Sequence, residues 1–380
     1  MTEQTFKQAT YGRFTTKGSI TVTEDSFQLD LKGRNNPSWN YSRINMKMED
    51  GKGGVFFLNA QDGFSTTNGR VIYAKIKDSK EQMQIQFADR FNEAVLEHLD
   101  DKAFVRVALD KVEVEGKQVW NYQKFLTVYD AITFLKPRLQ TGMKLFVSGN
   151  VNYSEYNDNL NKDLQIQQIL LLPEDESMDD AGFKFKQNVL LTPESLDDSK
   201  FEDELTATIN AKLYYTRKNK QTKQKEAYAL DLPLVIRAAE DKKDKVRKML
   251  DKYFKVEEDT VRRIQLDGKF NTGYISGQVT EEDLPEEAKE LIEDEFYTLE
   301  EVLKMYAKRD RVDELLVTRP VLYKAQDAKI PTVDMDDETY KPEDLIFTQD
   351  EEEPVEETIE IEEEEISEDD DLSFLDDLDD

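Results

Sequence analysis

Gly142-Met-Lys-Leu-Phe-Val-Ser-Gly-Asn-Val-Asn-Tyr-Ser-Glu-Tyr156 alternates in character along most of its length. Leu145, Val147, Gly149, Val151 and Tyr153 fall on one side of an extended chain, and Phe146, Ser148, Asn150, Asn152 and Ser154 on the other. A repeat of two with one apolar side specifies a strand that buries a single face. The Asn- and Asp-rich stretch Asn157 to Lys162 reads as a turn, and Leu164 to Leu172 as the partner strand. This long hairpin anchors the reading of everything around it.

Upstream the chain breaks into short β-type runs. Ile20 to Leu31 alternates in part and Arg43 to Met48 fully; Val55 to Leu58, Val71 to Ile76, Met83 to Phe87, Phe104 to Val114 and Val119 to Val128 follow. Phe91 to Leu99 has helical spacing, and Lys136-Pro137 is a break before the hairpin. Downstream, the acidic stretch from Pro173 to Gly182 marks a domain boundary. Beyond it Leu205 to Tyr215, Tyr228 to Ile236 and Val261 to Phe270 read as strands. Ala238 to Phe254 reads as a helix with Val246, Met249, Leu250, Tyr253 and Phe254 on one stripe. A charged segment, 281–311, is expected to be helical, with Val317 to Tyr323 as a closing strand. Both halves thus run strand, loop, strand, helix, strand, although their residues match poorly. The expected fold class is mainly β with some α: two small Greek-key barrels in tandem, residues 1–175 and 176–333, followed by a tail.

Charge is distributed unevenly. The formal net charge is −31, yet the segment from Asp334 to Asp380 carries 25 Asp and Glu against Lys341 alone. The remainder is therefore only mildly acidic, and 334–380 is expected to be a disordered tail. No cysteine is present, which excludes disulfides and thiolate metal sites, and His98 is the single histidine, in a plain surface or core setting. No apolar run reaches the length of a membrane span, and the N-terminal residues lack the apolar stretch of a secretion signal. Phosphate-loop, dinucleotide, nucleophile-elbow and zinc-helix motifs are missing. The expectation is a non-enzymatic, cytoplasmic protein without cofactor or metal.

Two basic stretches stand out against this acidic background. Lys32-Gly-Arg34 leads to Trp39-Asn-Tyr-Ser-Arg-Ile-Asn-Met-Lys47, where Trp39, Tyr41, Arg43 and Lys47 share one face of a strand. Ile44, Met46 and Met48 share the other. Rings and cations in a row suit single-stranded nucleic acid, with bases stacking and phosphates meeting Lys and Arg; a second small core under Trp39 and Tyr41 is the alternative. Thr216 to Lys225 holds Arg217, Lys218, Lys220, Lys223 and Lys225 without an acid, with Tyr214, Tyr215 and Tyr228 at its base. This is either a phosphate-contacting hairpin loop or a solubilising one. Weaker candidates are Trp120, Tyr122 and Lys124 on one strand, Phe146 facing outward, and Arg262, Arg263 and Lys269 in the second half. At the acidic end, Leu372, Phe374, Leu375 and Leu378 form an apolar tip suited to docking on a partner protein.

Taken together, Gly142 to Tyr156, with its V-x-G-x-V spacing and Tyr156, and the acidic tail with its apolar tip resemble the single-stranded DNA-binding proteins of bacteria and bacteriophages. The resemblance implies oligonucleotide-binding (OB-like) barrels and a tail whose tip recruits replication, recombination and repair proteins, Phe374 taking the place of the anchoring aromatic. It also implies single-stranded DNA as the ligand, no membrane, and, for a phage protein, the cytoplasm of the bacterial host. Two barrels in one chain and the 281–311 segment depart from the simple bacterial pattern. An acidic nucleic-acid mimic that scaffolds or inhibits a basic partner, and a recombination mediator or annealing factor, are the other readings.

Overall fold

Alternating burial organises the chain into strands long enough to bend around a core. In a computed structural model of the protein, residues 6–345 are described apart from 35, 52, 68, 80, 157–158, 219–224, 277–283, 294–297, 300–301, 303–308 and 325–329. The first half supplies β1 (Gly12–Thr21), β2 (Phe27–Lys32), β3 (Trp39–Glu49), β4 (Val55–Ser65), β5 (Lys144–Tyr156) and β6 (Asn159–Leu171). The second supplies β7 (Gly182–Leu191), β8 (Thr206–Lys218), β9 (Lys225–Arg237), β10 (Arg262–Ser276) and β11 (Arg309–Pro320). The protein is mainly β.

The pairings of the first half close on themselves. β1 pairs with β3, β3 with β4, β4 with β6, β6 with β5, and β5 with β1. All are antiparallel except β4 with β6, which is parallel. The second half repeats the ring through β7, β8, β9, β11 and β10, and the parallel pair is again the third strand with the last, β9 with β11. In each ring the fourth strand carries a glycine at a break in register: Gly149 in β5 and Gly268 in β10. A β-carbon on Gly149 falls 1.8 Å from the Gln165 carbonyl oxygen, and one on Gly268 falls 2.1 Å from Phe185 Cζ. Only glycine permits this close approach, and bulges of this kind bend a sheet toward closure.

Each ring is plugged by a helix between its third and fourth strands. In the first, α1 (Val128–Leu135) buries Ala131, Ile132 and Leu135 fully. In the second, α2 (Lys243–Met249) and the turn after it bury Leu250 and Phe254. The rings join where β1 pairs with β7, from Gly12 opposite Gln187 to Lys17 opposite Gly182. The core is continuous across this junction: Phe56 stacks on Phe183 at 3.6 Å between centroids and meets Phe270 at 5.7 Å.

Several boundaries differ from the sequence reading. Phe91 to Leu99 contributes only the helical turn Glu93–Leu96, and the ring helix starts at Val128, where a strand was expected to end. The signal there is local: the Thr127 hydroxyl accepts from the Asp130 amide at 3.2 Å, an N-terminal cap three residues before an acid. Residues 309–311 belong to β11, not to a helix, because the long strand β10 pairs with them from Ser276 opposite Arg309 onward. The closing strand therefore starts earlier than Val317 and ends at Pro320. The acidic segment is folded at its beginning: Thr332–Val333 and Met335–Asp336 are strands, and Pro342–Leu345 is a helical turn. Residues 346–380 lie outside the described residues.

Candidate nucleic-acid interface

On β3, Ser42, Ile44, Met46 and Met48 are buried while Trp39, Tyr41, Arg43, Asn45 and Lys47 face out, as the period of two requires. The outward row lies directly across from β4: Tyr41 opposite Gly63, Arg43 opposite Gln61, and Lys47 opposite Phe57. Trp39 is 38% exposed and Phe57 64%. Its indole packs on the bare backbone of Gly63, since a β-carbon there sits 2.8 Å from Cε2 and 2.9 Å from Cζ2. The β2–β3 hairpin closes with the Gly33 amide donating to the Trp39 carbonyl at 2.7 Å, which holds the exposed Lys32 and Arg34 beside the ring.

Among the described residues Arg43, Lys32 and Arg34 have no carboxylate partner. Lys47 donates to Glu49 at 2.5 Å, and both side chains are partly exposed, so that pairing is weak and exchangeable for a phosphate. The aromatic and cationic row expected on this strand therefore faces outward, with Trp39 exposed and Tyr41, Arg43 and Lys47 half-buried. Phe57 escaped the sequence reading because Phe56-Phe57-Leu58 is a run of three apolar residues. Only the pairing with β3 shows which phenylalanine faces out.

Beside this face lies a cleft of about 400 Å³. It forms where β4 and β6 stop pairing, since their shared register covers only Leu58–Asn59 against Leu164–Gln165. Trp39, Gln61 and Gly63 line one side, and Tyr73, Lys102 and Gln165 others. Tyr73, 61% exposed, stands on the hairpin Val71–Lys75 and Gln82–Gln86. Two aromatic rings and two side-chain amides thus face one open space, a combination that stacks a planar base and bonds its edge. Asp62 closes the cleft from below. Its carboxylate accepts from the Val128 amide at 2.6 Å, at the start of α1. Burial first, and the neighbouring Asp130 second, push its pKa up to about 7. Asp130 is itself gripped by Arg90 at 2.7 Å and by the Thr127 hydroxyl at 2.7 Å.

The other expected contacts have different surroundings. Trp120 and Tyr122 cover a small cluster of Ala108, Phe146, Leu170 and Leu172, so Phe146 points away from the main core yet is buried. Tyr122 accepts from Gln168 at 3.2 Å, and Lys124 is bound to Asp101 at 2.5 Å. Tyr214 and Tyr215 are core residues instead of an exposed base for the basic loop, being consecutive on a strand with both of its sides covered. Tyr215 lies in the main core with Tyr228 against it, and Tyr214 lies under Tyr340 at 5.7 Å. Arg217 and Lys218 extend β8, Lys225 sits over Phe6 at 5.6 Å, and Lys220 and Lys223 lie outside the described residues. Leu372, Phe374, Leu375 and Leu378 lie outside them too.

Arg262 and Arg263 are engaged by the very segment expected to be a free tail: Arg262 by Asp337 and Arg263 by Asp334, each at 2.7 Å. Tyr340 donates to the Gln8 carbonyl at 2.5 Å and completes this strap. Among the described residues, the face of the second ring that corresponds to β3 and β4 is consequently occupied or neutral. Tyr214 is covered, Lys212 pairs with Asp231 at 2.6 Å, and Arg237 with Glu314 at 2.6 Å. Lys269 is exposed on β10, and His98 is exposed on the surface. No helix among the described residues is long and apolar enough to cross a membrane, and no cluster of potential metal ligands occurs among them.

No protein-family model matches the chain, and no curated protein does. Among solved structures, the wild-type single-stranded DNA binding protein from Thermus aquaticus aligns over 70% of this chain and 86% of its own, at 10% identity and a TM-score of 0.28. A deletion mutant of that protein aligns over 70% and 88%, at 9% identity and a TM-score of 0.26. At such TM-scores the likeness carries no weight in assigning a function.

Proposed function

We propose that this chain is a non-enzymatic single-stranded DNA-binding protein, and that each ring is an oligonucleotide-binding barrel. The carrying observation is the outer face of β3 and β4. There Trp39 lies on Gly63 with the half-buried Tyr41 two residues along, Phe57 is exposed opposite Lys47 at the far end of the same row, and Arg43, Lys32 and Arg34 lack acidic partners among the described residues. Five strands in first–second–third–fifth–fourth order with a helix between the third and fourth is the connectivity expected of such a barrel. Stacking on rings tolerates any base, and cations bind any backbone, so binding is broad in sequence and sensitive to salt. Coating exposed strands during replication, recombination and repair, in phage or bacterium, is the role that fits. In this reading the apolar tip 372–378 recruits the partner proteins.

A titration with oligo-dT tests the reading. Trp39 is the exposed tryptophan and Trp120 the covered one, so binding quenches mainly the signal of Trp39. Trp39→Phe removes the quench while a labelled oligonucleotide still reports binding by anisotropy. Absence of binding at about 50 mM salt, where phosphate contacts are strong, or equal affinity for duplex, overturns the proposal.

A further inference from the structure

Where the two rings join, four basic residues stand among the outward residues of three neighbouring strands. Arg13 on β1 lies directly opposite Lys186 on β7, and Lys184 on β7 lies directly opposite Lys269 on β10. The three lysines are exposed and Arg13 is half-buried. None of the four has a carboxylate partner among the described residues. One acid interrupts the seam: Asp267 on β10 lies directly opposite Lys186, and its hydrogen bond comes from Arg319 at 3.2 Å, while Lys17 holds Glu176 at 2.5 Å and Asp180 at 2.8 Å. Asp180 is within electrostatic reach of Lys184, yet its hydrogen bond goes to Lys17.

Like charges placed directly opposite one another across a ladder oppose pairing; Asp267 offsets this for Lys186, but Lys184 and Lys269 have Thr15 and Leu316 on their other sides, so burial and packing give no reason for that pair. Arg13 adds a second sign: its Nε is buried without an acceptor. An N–H withdrawn from water and left unmet is costly, and an anion at the surface lowers the charge that surrounds it. Arg13 also connects the seam to the cleft, because its other cross-strand neighbour, Asn150, lines that space. The row from Asn150 through Arg13 and Lys186 to Lys184 and Lys269 is continuous. Among the described residues no aromatic side chain faces outward along it on β1, β7 or β10, so it offers contacts to a backbone and none to bases.

We propose that the β1–β7–β10 seam is a second phosphate-binding surface, a track that carries the backbone of one DNA strand from the first-ring cleft to the second ring. This rests on reading the β3–β4 face as a single-strand site. The track explains how a chain whose second-ring face is covered still uses both rings: the second ring supplies phosphate contacts, and the first supplies the stacking.

The test uses full-length protein with Lys184→Gln and Lys186→Gln together, and oligo-dT of two lengths. One is about 10 nucleotides, within the span of a single barrel, and the other about 35, beyond it. The variant is expected to bind the short strand within twofold of wild type and the long strand at least fivefold more weakly at about 50 mM salt. For the long strand the slope of log affinity against log salt becomes shallower by about 1.4, the value for two lost single-strand phosphate contacts. Melting should be nearly unchanged, since two opposed charge pairs are relieved while Asp267 loses the cation opposite it. Equal long-strand binding by variant and wild type overturns the track and leaves the β3–β4 site intact. Equal weakening at both lengths overturns it as well, because the seam is then not separable from the cleft. Failure of wild-type protein to bind either length removes the β3–β4 reading itself.

Discussion

The indole of Trp39 lies on Gly63, so closely that a β-carbon at position 63 falls 2.8 Å from its Cε2 atom. A side chain at this position pushes the ring off the sheet and into the cleft. It also meets the Asn40 carbonyl oxygen at 2.5 Å, which costs stability on the order of 1 kcal/mol. Gly63→Ala is therefore expected to weaken oligo-dT binding about tenfold and to lower the urea midpoint. Trp39→Ala weakens binding to a similar extent, since a stacked base is worth about 1–3 kcal/mol, and lowers the midpoint modestly because the residue is only 38% exposed. Normal affinity in Gly63→Ala would show that the ring's placement does not matter.

Phe57, 64% exposed beside Lys47, is expected to behave as a second stacking platform. Phe57→Ala should weaken binding about five- to tenfold without changing thermal stability, as anisotropy and melting measured on the same sample would reveal. A surface hydrophobe with no ligand predicts unchanged binding.

Asp62 makes folding depend on pH. Its pKa is raised to about 7 from an ordinary value of 3.8, so the folded protein holds a proton that the unfolded chain has released. Across that window the native state binds more protons, and stability declines as pH rises from about 4 to about 7. The residue as a whole is half-buried, but the carboxyl group is its desolvated part. Asp62→Asn keeps an acceptor for the Val128 amide and removes the charge. It is expected to raise stability at pH 8 by about 1–3 kcal/mol and to leave it unchanged at pH 4; urea unfolding at the two pH values is the check.

Truncation separates the strap from the acid beyond it. Removing residues 346–380 should leave melting unchanged, while removing residues 334–380 uncovers Tyr214 and leaves Arg262 and Arg263 without Asp337 and Asp334. Loss of carboxylate partners for the buried Arg262 and the half-buried Arg263 costs about 3 kcal/mol or more in total. Calorimetry on the two truncations measures the difference, and equal melting would mean that the strap adds nothing to stability.

The same two truncations address the competing role of the acid. Removal of residues 346–380 is expected to tighten oligo-dT binding at low salt and to have little effect at high salt, because a tethered polyanion competes for the same cations only when screening is weak. Salt-independent affinity would exclude that competition.

The aromatic and basic row on β3 was legible because Ile44, Met46 and Met48 fix which side of the strand is buried, and a repeat of two then assigns Trp39, Tyr41, Arg43 and Lys47 to the other. Gly149 was legible as part of the clearest strand, though not why it must be glycine. The cap at Thr127 was written in the sequence and overlooked. By contrast, Tyr214-Tyr215 gave no clue to its burial. Two consecutive residues point to opposite sides of a strand, and the cover for Tyr214 comes from Tyr340, far along the chain. Tyr73, Phe57 and Gln165 entered the site through strand pairings between distant segments.

What the residues determined alone is local: alternation, caps, breaks, the segregation of acid to one end and the concentration of cations and rings on β3. What only the tertiary structure decided is which strands lie side by side. Arg13 belongs with Lys186, and Lys184 with Lys269, only because β1, β7 and β10 pair. Arg262 and Arg263 find carboxylate partners only because Asp337 and Asp334 return to them. A period of two states which side of a strand a residue occupies, but the neighbour across the ladder is chosen by the packing of a core that both halves share.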